Sequence, residues 1–238
     1  TCALPILVLA PNEYAYILDT TKGHINCYVG PNKTSLAQTD ELVTFNKHTK
    51  RFERAHDMER ATELFATAPA NWYLILKNPA KENVHPSPGS ASSITELQVG
   101  RKIVIPGPNS FALWPGQMAK VVEGHRLGPN EYLVVQIHDA EQAQKHWQSA
   151  VGLQSPDTSE PTLATGDKFI IRGSDVSFFI PPTGVEVVAD AKGRYVREAV
   201  TLERLEYCIV VGEDGRKRYL RGESVVFPEP NQYFIENK

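Results

Sequence analysis

Short apolar runs separated by turn residues set the pattern along this chain. The seventeen prolines and sixteen glycines fall mostly between these runs, as is typical of turns. Runs this short predict β-strands, because helices need longer stretches with a 3.6-residue period. The predicted strands are residues 6–9, 14–18, 24–29, 34–37, 42–45, 72–76, 97–105, 111–114, 118–122, 133–137, 168–171, 177–180, 185–188, 207–211, 218–220 and 225–227. The fold class that follows is mainly all-β.

A marker motif divides the predicted strands into repeats. Pro11-Asn12-Glu13-Tyr14 precedes one apolar run, and Pro129-Asn130-Glu131-Tyr132 precedes another. Weaker copies end at Tyr73 and Tyr207. Self-similarity with a period of tens of residues indicates stacked modules. We therefore expect tandem small antiparallel β-sheet modules in an elongated array, with repeats at 1–46, 69–125, 126–190 and 191–238.

Three segments interrupt the repeats. Residues 47–68 are highly charged and predict a short connecting helix, with a solvated loop as the alternative. The insert 78–93 of the second repeat is rich in Pro, Ser, Gly and Asn. The insert 139–161 of the third repeat begins with a helix that Asp139 caps and ends in a polar loop. Both inserts lengthen the same loop of their repeats, so they are candidate partner contacts.

Composition and charge narrow the class of partner. The 238 residues carry a net charge of −3, which gives no basic excess for nucleic acid or anionic lipid. The longest apolar run, residues 3–10, is too short to span a bilayer and lacks the basic flank of a signal peptide. Cys2, Cys27 and Cys208 have no paired spacing, as is typical of a reducing compartment. We expect a cytoplasmic or virion protein without nucleic-acid or membrane partners, neither secreted by a signal peptide nor transmembrane.

The motifs inside a repeat follow one order. Pro-x-x-Tyr and an apolar strand are followed by a hairpin, a Gly-Pro step, an aromatic strand, Pro-Gly or Pro-Pro, and a Val-rich strand. The matching residues are 11–19, 28–31, 42–45, 107–108, 113–117, 164–169, 178–181 and 185–188. This order resembles the repeat domain of the major vault protein family. The resemblance touches most of the chain outside the inserts.

The resemblance implies small β domains that stand side by side with other copies and wall a ring or barrel. No heptad run follows the repeats, and nothing resembles the shoulder domain or cap helix of a vault. We therefore expect a shorter, repeat-only relative that forms a ring, collar or shell wall. It would be a homo-oligomer through lateral repeat contacts, together with other structural proteins of a larger assembly, such as a phage or virus particle.

Catalytic and metal-binding motifs do not stand out in the sequence. The histidines lack zinc-pair spacing, Cys-x-x-Cys is missing, and the Gly-Pro steps lack the lysine of a phosphate loop. The densest titratable cluster is His138, Asp139, Glu141 and His146, which favours a polar turn before a helix over a catalytic dyad. We expect no enzyme, cofactor or metal site; an enzyme centred on His138 and His146 is one alternative.

Six residues are candidates for an interface: Trp147, His146, Trp114, Arg216, Arg218 and Arg221. Trp147 lies on the predicted insert helix, where an aromatic anchor suits an interface. Trp114 precedes a Pro-Gly turn at an expected rim, whereas Trp72 is expected in the core. The arginines flank a hairpin and could pair with acidic residues of a neighbouring copy. A second alternative is a monomeric or low-order module that binds a protein or glycan through the two inserts.

Overall fold

The computed structural model describes residues 5–46, 48–92, 95–149 and 163–235. The chain forms two compact units, residues 1–122 and residues 123–238. Cys2, the last residue of the first insert and residues 150–161 of the second insert lie outside the described residues. The mainly β fold class is confirmed, because small antiparallel sheets and two short α-helices make up the described elements.

The first unit contains thirteen of the described strands and one helical turn. The strands are β1 (Ile6–Leu9), β2 (Glu13–Asp19), β3 (His24–Val29), β4 (Asn32–Ser35), β5 (Asp40–Asn46), β6 (Arg51–Arg54), β7 (Thr62–Leu64), β8 (Ala66–Ala68), β9 (Trp72–Lys77), β10 (Ala91–Ser92), β11 (Lys102–Pro106), β12 (Asn109–Phe111) and β13 (Met118–Glu123). The helical turn α1 is Met58–Ala61.

The second unit contains eleven described strands and a short helix. The strands are β14 (His125–Arg126), β15 (Glu131–Ile137), β16 (Lys168–Arg172), β17 (Phe178–Phe179), β18 (Val185–Val187), β19 (Arg197–Glu198), β20 (Val200–Leu202), β21 (Tyr207–Gly212), β22 (Lys217–Arg221), β23 (Ser224–Val226) and β24 (Gln232–Phe234). The helix α2 is Ala140–His146, and a 3-10 turn continues it over Trp147–Ser149.

One two-sheet arrangement recurs four times in the chain. A central strand that carries the marker tyrosine lies between two neighbours, in the orders β3-β2-β5, β11-β9-β13, β16-β15-β18 and β22-β21-β24. The strand before each marker pairs with a strand after the hairpin, giving the small sheets β1-β4, β8-β12, β14-β17 and β20-β23. We refer to these four arrangements as the first to fourth repeat.

The first repeat is enlarged by strands from elsewhere in its unit. β6 extends the sheet beyond β5, β7 pairs with β2, and β10 pairs with β3. The helix predicted for residues 47–68 is therefore wrong for most of that segment, where only α1 is helical. Phe52 turns inward against Phe45, with ring centroids 5.1 Å apart, while its neighbours in β6 face outward. Residues 51–54 alternate with the two-residue period of a strand. The many charged residues around them hide that alternation in the sequence.

The marker motif forms a turn in which the glutamate side chain accepts a hydrogen bond from the backbone three residues earlier. Glu13 accepts a hydrogen bond from the Ala10 N–H at 2.7 Å, and Glu131 accepts one from the Gly128 N–H at the same distance. Asn12 adopts a left-handed backbone with φ of 67°. Asparagine tolerates that conformation better than most residues do. The repeated Glu thus closes the turn into the central strand in both strong copies, and Asn12 takes the left-handed position in the first of them.

A glycine after the hairpin packs directly on this turn. The Gly30 N–H donates to the Glu13 carbonyl at 2.8 Å, and the Gly173 N–H donates to the Glu131 carbonyl at 2.7 Å. A Cβ at Gly30 would collide with the Ala10 carbonyl oxygen, and one at Gly173 would collide with that of Gly128. Only a residue without a side chain fits this approach of two backbones.

The first unit has cores on both faces of the central strand β2. Tyr14 and Tyr16 belong to a cluster shared with the second repeat, which contributes residues including Leu74 and Leu76. Ile17 belongs to a separate cluster under the small sheet β1-β4. Because both faces are covered, the central strand is almost entirely buried.

The second unit has one large cluster and one small one. The large cluster packs Leu133, Val135 and Ile137 of β15 against α2 and the surrounding strands. Within the described part of the chain, the small cluster of the fourth repeat has three buried members, Leu202, Val210 and Val226. The fourth repeat therefore buries much less apolar surface than the others.

Candidate interaction surface

The first insert packs on its own unit over the residues that the structure describes. β10 pairs with β3, with Ala91 opposite Tyr28. The His85 ring stacks on Phe111 with centroids 3.7 Å apart. The insert therefore contacts both repeats of its unit, β3 in the first and Phe111 in the second, and does not protrude over its described residues. A function that binds a protein or glycan through the inserts stays a hypothesis.

Trp114 lies in the core and not at an exposed rim. Its side chain belongs to the shared cluster of the first unit, and the residue is only 6% exposed. The indole N–H donates to the Val84 carbonyl of the insert at 2.7 Å. The expectation of an exposed Trp114 is thus not met, and this residue is left out of the surface described below. Trp72 is partly buried against the same cluster.

The second insert begins with the capped helix that the sequence predicts. The Asp139 carboxylate accepts a hydrogen bond from the Gln142 N–H at 3.1 Å, which caps α2. Trp147 meets Phe169 edge to face, with centroids 5.5 Å apart, and is partly buried against the large cluster of this unit. His146 is exposed beside it. Trp147 therefore anchors the helix to its own unit as well as presenting some surface.

The titratable cluster near His138 serves the helix. Asp139 is the N-cap, and Glu141 forms an ion pair with Lys145 at 2.6 Å. Within the described residues, no group of three or more His, Cys, Asp or Glu side chains is placed to hold a metal ion. We do not propose an enzyme on this cluster.

Several titratable groups have shifted pKa values because they are buried, among them Tyr14, Cys27 and His125. Burial raises the pKa of Tyr14, whose hydroxyl donates to the Glu63 carboxylate at 2.9 Å, and raises the pKa of Cys27 to about 12. Burial lowers the pKa of His125 to about 4. A thiol with so high a pKa holds little thiolate at neutral pH and is a poor nucleophile. The three groups lie in packed interiors, and their burial explains the shifts of their pKa values.

The predicted basic patch lies on the hairpin of the fourth repeat. All five residues of β22 are exposed, and this strand is one edge of its sheet. Arg218 pairs with Glu229 at 3.2 Å, and Arg216 lies 3.4 Å from Asp214. Arg221 is exposed at the end of the strand. Acidic side chains of the same repeat thus meet two of the three arginines.

One face of the same sheet is rich in exposed aromatic residues. The register of β21 with β22 places Ile209 opposite Tyr219 and Tyr207 opposite Arg221, and β24 places Tyr233 opposite Val211. Directly opposed residues point to the same side of a sheet. We call this surface the tyrosine face; it consists of Tyr207, Ile209, Val211, Tyr219 and Tyr233, together with Lys217 and Arg221, which the same register places on this side.

The tyrosine face is the part of the surface that the sequence reasoning missed. Tyr207, Tyr219 and Tyr233 are 59%, 58% and 60% exposed, respectively. The predicted hairpin at Asp214-Gly215 already implied the register of β21 with β22. Counting residues back from that turn would have paired Ile209 with Tyr219.

The marker tyrosines differ sharply in exposure. Tyr14, Tyr73 and Tyr132 are 1%, 2% and 5% exposed, against 59% for Tyr207. The Tyr132 ring meets Phe227 of the fourth repeat edge to face at 6.1 Å, and Tyr14 belongs to the cluster shared with the second repeat. The fourth repeat alone leaves its marker tyrosine uncovered.

Comparisons with known proteins add no family. A scan against protein-family models finds no match, and no curated protein matches the chain. Across the described part of the chain, none of the helices has the length and apolar character needed to cross a membrane.

Proposed function

We propose that this protein is a structural subunit that assembles with other copies of itself through its β repeats. Its repeats pack beside those of neighbouring copies and together form a ring, collar or shell wall. The resemblance of the motifs to the vault repeat supports this proposal.

The observation that carries the proposal is the fourfold recurrence of one small arrangement with open surfaces. Each repeat is built on a three-stranded arrangement with a two-stranded companion, and where no further strands are added, sheets this small need neighbours to cover their faces and edges. In the fourth repeat the need is greatest, because among the described residues its buried cluster has three members, Leu202, Val210 and Val226. Other copies of the same chain are the neighbours that this proposal assigns to those surfaces.

A larger particle is the setting that suits such a subunit. A ring or collar of these repeats joins other structural proteins, in the cytoplasm or within a virus particle. Contacts of this kind require no cofactor, and the net charge of −3 gives no general attraction to nucleic acid.

Light scattering coupled to size-exclusion chromatography tests the proposal. We expect the mass of the purified chain to rise with concentration to a defined multiple of 26.5 kDa. Particle imaging of the largest species should then show closed rings or continuous walls. A mass that stays at one chain over the whole accessible concentration range would contradict the proposal.

A further inference from the structure

We propose that the outer edge of β16 in the third repeat binds an extended peptide of a partner protein, which adds to the sheet as a further strand. The peptide that fits has small side chains along the edge and a basic side chain where it reaches the cleft beside Asp167. This inference goes beyond the proposed function, because it concerns a different protein as partner and does not depend on self-assembly of the chain.

The first unit shows how the corresponding edge is covered. In both repeats the residue opposite the marker tyrosine is the last of its strand, Val29 in β3 and Arg172 in β16, so the two strands hold equivalent places. The first insert runs along the outer side of β3. The Val29 N–H donates to the Ser90 carbonyl at 3.0 Å, and the Gly89 N–H donates to the Val29 carbonyl at 3.1 Å. β10 continues this pairing, so the edge of this kind of repeat accepts an added strand.

The edge of β16 presents backbone groups to such a strand. The Ile137 N–H donates to the Asp167 carbonyl at 2.9 Å, so the backbone groups of Asp167 point towards β15. Because this direction alternates along a strand, those of Lys168 and Ile170 point away from β15. Among the described residues, β16 is the last strand on this side of its sheet. Arg172 faces the same way, but its carbonyl already accepts hydrogen bonds from the turn that follows.

The loop that covers the edge in the first unit has a much shorter counterpart in the second. The second repeat supplies the cover of β3 from the loop between β9 and β11, which holds residues 78–101. In the fourth repeat the corresponding loop, between β21 and β22, holds residues 213–216 and forms a tight hairpin. Over the described part of the second unit, no strand takes the place that β10 has in the first.

A cleft lies at the start of β16, next to this edge. Its volume is about 420 Å³, and it is lined by residues 166–169 of the third repeat and by Glu213 and Asn231 of the fourth. The corresponding cleft of the first unit has a volume of about 200 Å³ and is lined in part by Thr95, which follows the first insert. The segment that covers β3 thus also occupies part of its cleft, whereas the cleft beside β16 has room for a peptide.

The cover of β3 and the charge of the cleft define the chemistry of the peptide. The covering segment is Gly-Ser-Ala-Ser over residues 89–92, so small side chains suit this edge. The cleft beside β16 has the carboxylates of Asp167 and Glu213 against the single ammonium of Lys168. A basic side chain at the place that Thr95 has in the first unit would meet these carboxylates, and complementary charge of this kind selects the partner.

Titration of the whole chain with a synthetic peptide, followed by nuclear magnetic resonance, tests the inference. The probe has the sequence of residues 86–95 with lysine in place of Thr95. We expect the amide signals of Lys168 and Ile170 to shift, whereas those of Cys27 and Val29, which the first insert covers, should stay in place. The control peptide ends in glutamate. It should bind about tenfold more weakly, because a repulsive charge replaces an attractive one.

Substitutions at two residues separate the backbone contact from the charge. Lys168→Pro removes the outward N–H and should abolish the shifts, whereas Lys168→Ala keeps that N–H and should bind the lysine peptide no more weakly than the wild type. Glu213→Lys should reverse the preference, so that the glutamate peptide binds more tightly. Circular dichroism melting checks that each variant folds. Glu213 is exposed in a loop, so this variant still provides a test if Lys168→Pro does not fold.

Hydrogen exchange in the free chain checks that the edge is open. We expect fast exchange at Lys168 and Ile170 and slow exchange at Ile171, whose backbone groups point towards β15. Slow exchange at Lys168 and Ile170 would show that the chain covers its own edge, and it would overturn the inference. The absence of shifts at millimolar lysine peptide, or equal binding to Lys168→Pro and Lys168→Ala, would also overturn it. None of these results bears on the mass measured by light scattering, so the proposed function is tested separately.

Discussion

The first and fourth repeats share one topology and differ in what surrounds it. In the first repeat, β6, β7 and β10 enlarge the sheet, and the second repeat covers Tyr14. In the fourth repeat the sheet keeps its three strands, and Tyr207 is 59% exposed. The local pattern of apolar and turn residues is similar in both. The difference teaches that this pattern determines the strands, whereas burial depends on segments that come from outside the repeat.

The glycine that packs on the marker turn should give the largest difference between these repeats. Gly30→Ala places a Cβ against the Ala10 carbonyl oxygen, so we expect a loss of about 3 kcal/mol or more in the free energy of unfolding. Gly222→Ala in the fourth repeat has no atom within 4 Å and costs only the strain of its positive φ, about 1–2 kcal/mol. Urea denaturation measures both. Equal losses would show that the fourth repeat is packed as tightly as the first.

The burial of His125 in β14 should make the third repeat more sensitive to acid than the fourth. Burial lowers the pKa of His125 to about 4, below the value near 6.5 of an unfolded chain. The unfolded state therefore binds a proton first as the pH falls. The stability is complete above pH 6.5 and is lost as the pH falls towards 4, by about 2–3 kcal/mol for this group.

His125→Phe is the control for that acid response. Phenylalanine keeps a ring beside Tyr195, which lies 5.2 Å from the histidine ring. The variant should lose less stability than the wild type between pH 7 and pH 4, as measured by urea denaturation at each pH. Parallel losses in the two proteins would assign the acid sensitivity to other groups.

Removing the hydroxyl of the marker tyrosine in the first repeat, and separately in the fourth, compares these two repeats directly. Tyr14→Phe removes the hydrogen bond to the Glu63 carboxylate and should cost about 2 kcal/mol. Tyr207→Phe changes an exposed side chain and should alter the stability by less than about 0.5 kcal/mol. Thermal unfolding measures both. A large effect at Tyr207 would mean that its hydroxyl has a partner within the chain.

The marker turn of the fourth repeat should become more stable when it carries the residue that the first repeat has at the same place. Leu205 has φ of 76° and is 94% exposed, whereas Asn12 occupies the equivalent place in the first repeat. A left-handed backbone costs most side chains about 1–2 kcal/mol, and asparagine pays less. Leu205→Asn should therefore stabilise the protein by about 1 kcal/mol, seen as a higher Tm. Asn12→Leu, the reverse change, should lower the Tm by a similar amount.

The smallest effect is expected at the surface ion pairs. Arg218 and Glu229 of the fourth repeat are both largely exposed, so Arg218→Ala should cost no more than about 0.5 kcal/mol. Arg54 pairs with the less exposed Glu41 in the first repeat, and Arg54→Ala should cost slightly more. Double-mutant cycles measure each pair. A coupling well above 1 kcal/mol at Arg218 would show a more rigid fourth repeat.

Sequence patterns predicted most of the repeated elements because their causes are local. The strand at 6–9 has the predicted bounds, and Asp214-Gly215 makes the predicted hairpin between β21 and β22. Asp139 caps α2 as expected. Turn chemistry and capping act within a few residues, so a single sequence contains them.

What the sequence did not reveal depends on contacts between distant segments. Trp114 is buried because residues of the first insert cover it, and no pattern near Trp114 marks that cover. β24 was missed, since it is a three-residue edge strand that pairs with β21 from the far end of the chain. The arginines were found on the hairpin as predicted, whereas the tyrosine face required the pairing of three strands.

The hairpin loop after each central strand is the place where this fold tolerates insertions. It holds four residues in the first and fourth repeats, but 24 in the second and 30 in the third. Closing the longest of these loops costs under about 2 kcal/mol more than closing the shortest, because the entropy grows only with the logarithm of length. The exposed turn at Asp214-Gly215 is therefore a natural site for displaying a peptide or grafting a tag, with the strands on either side left in register.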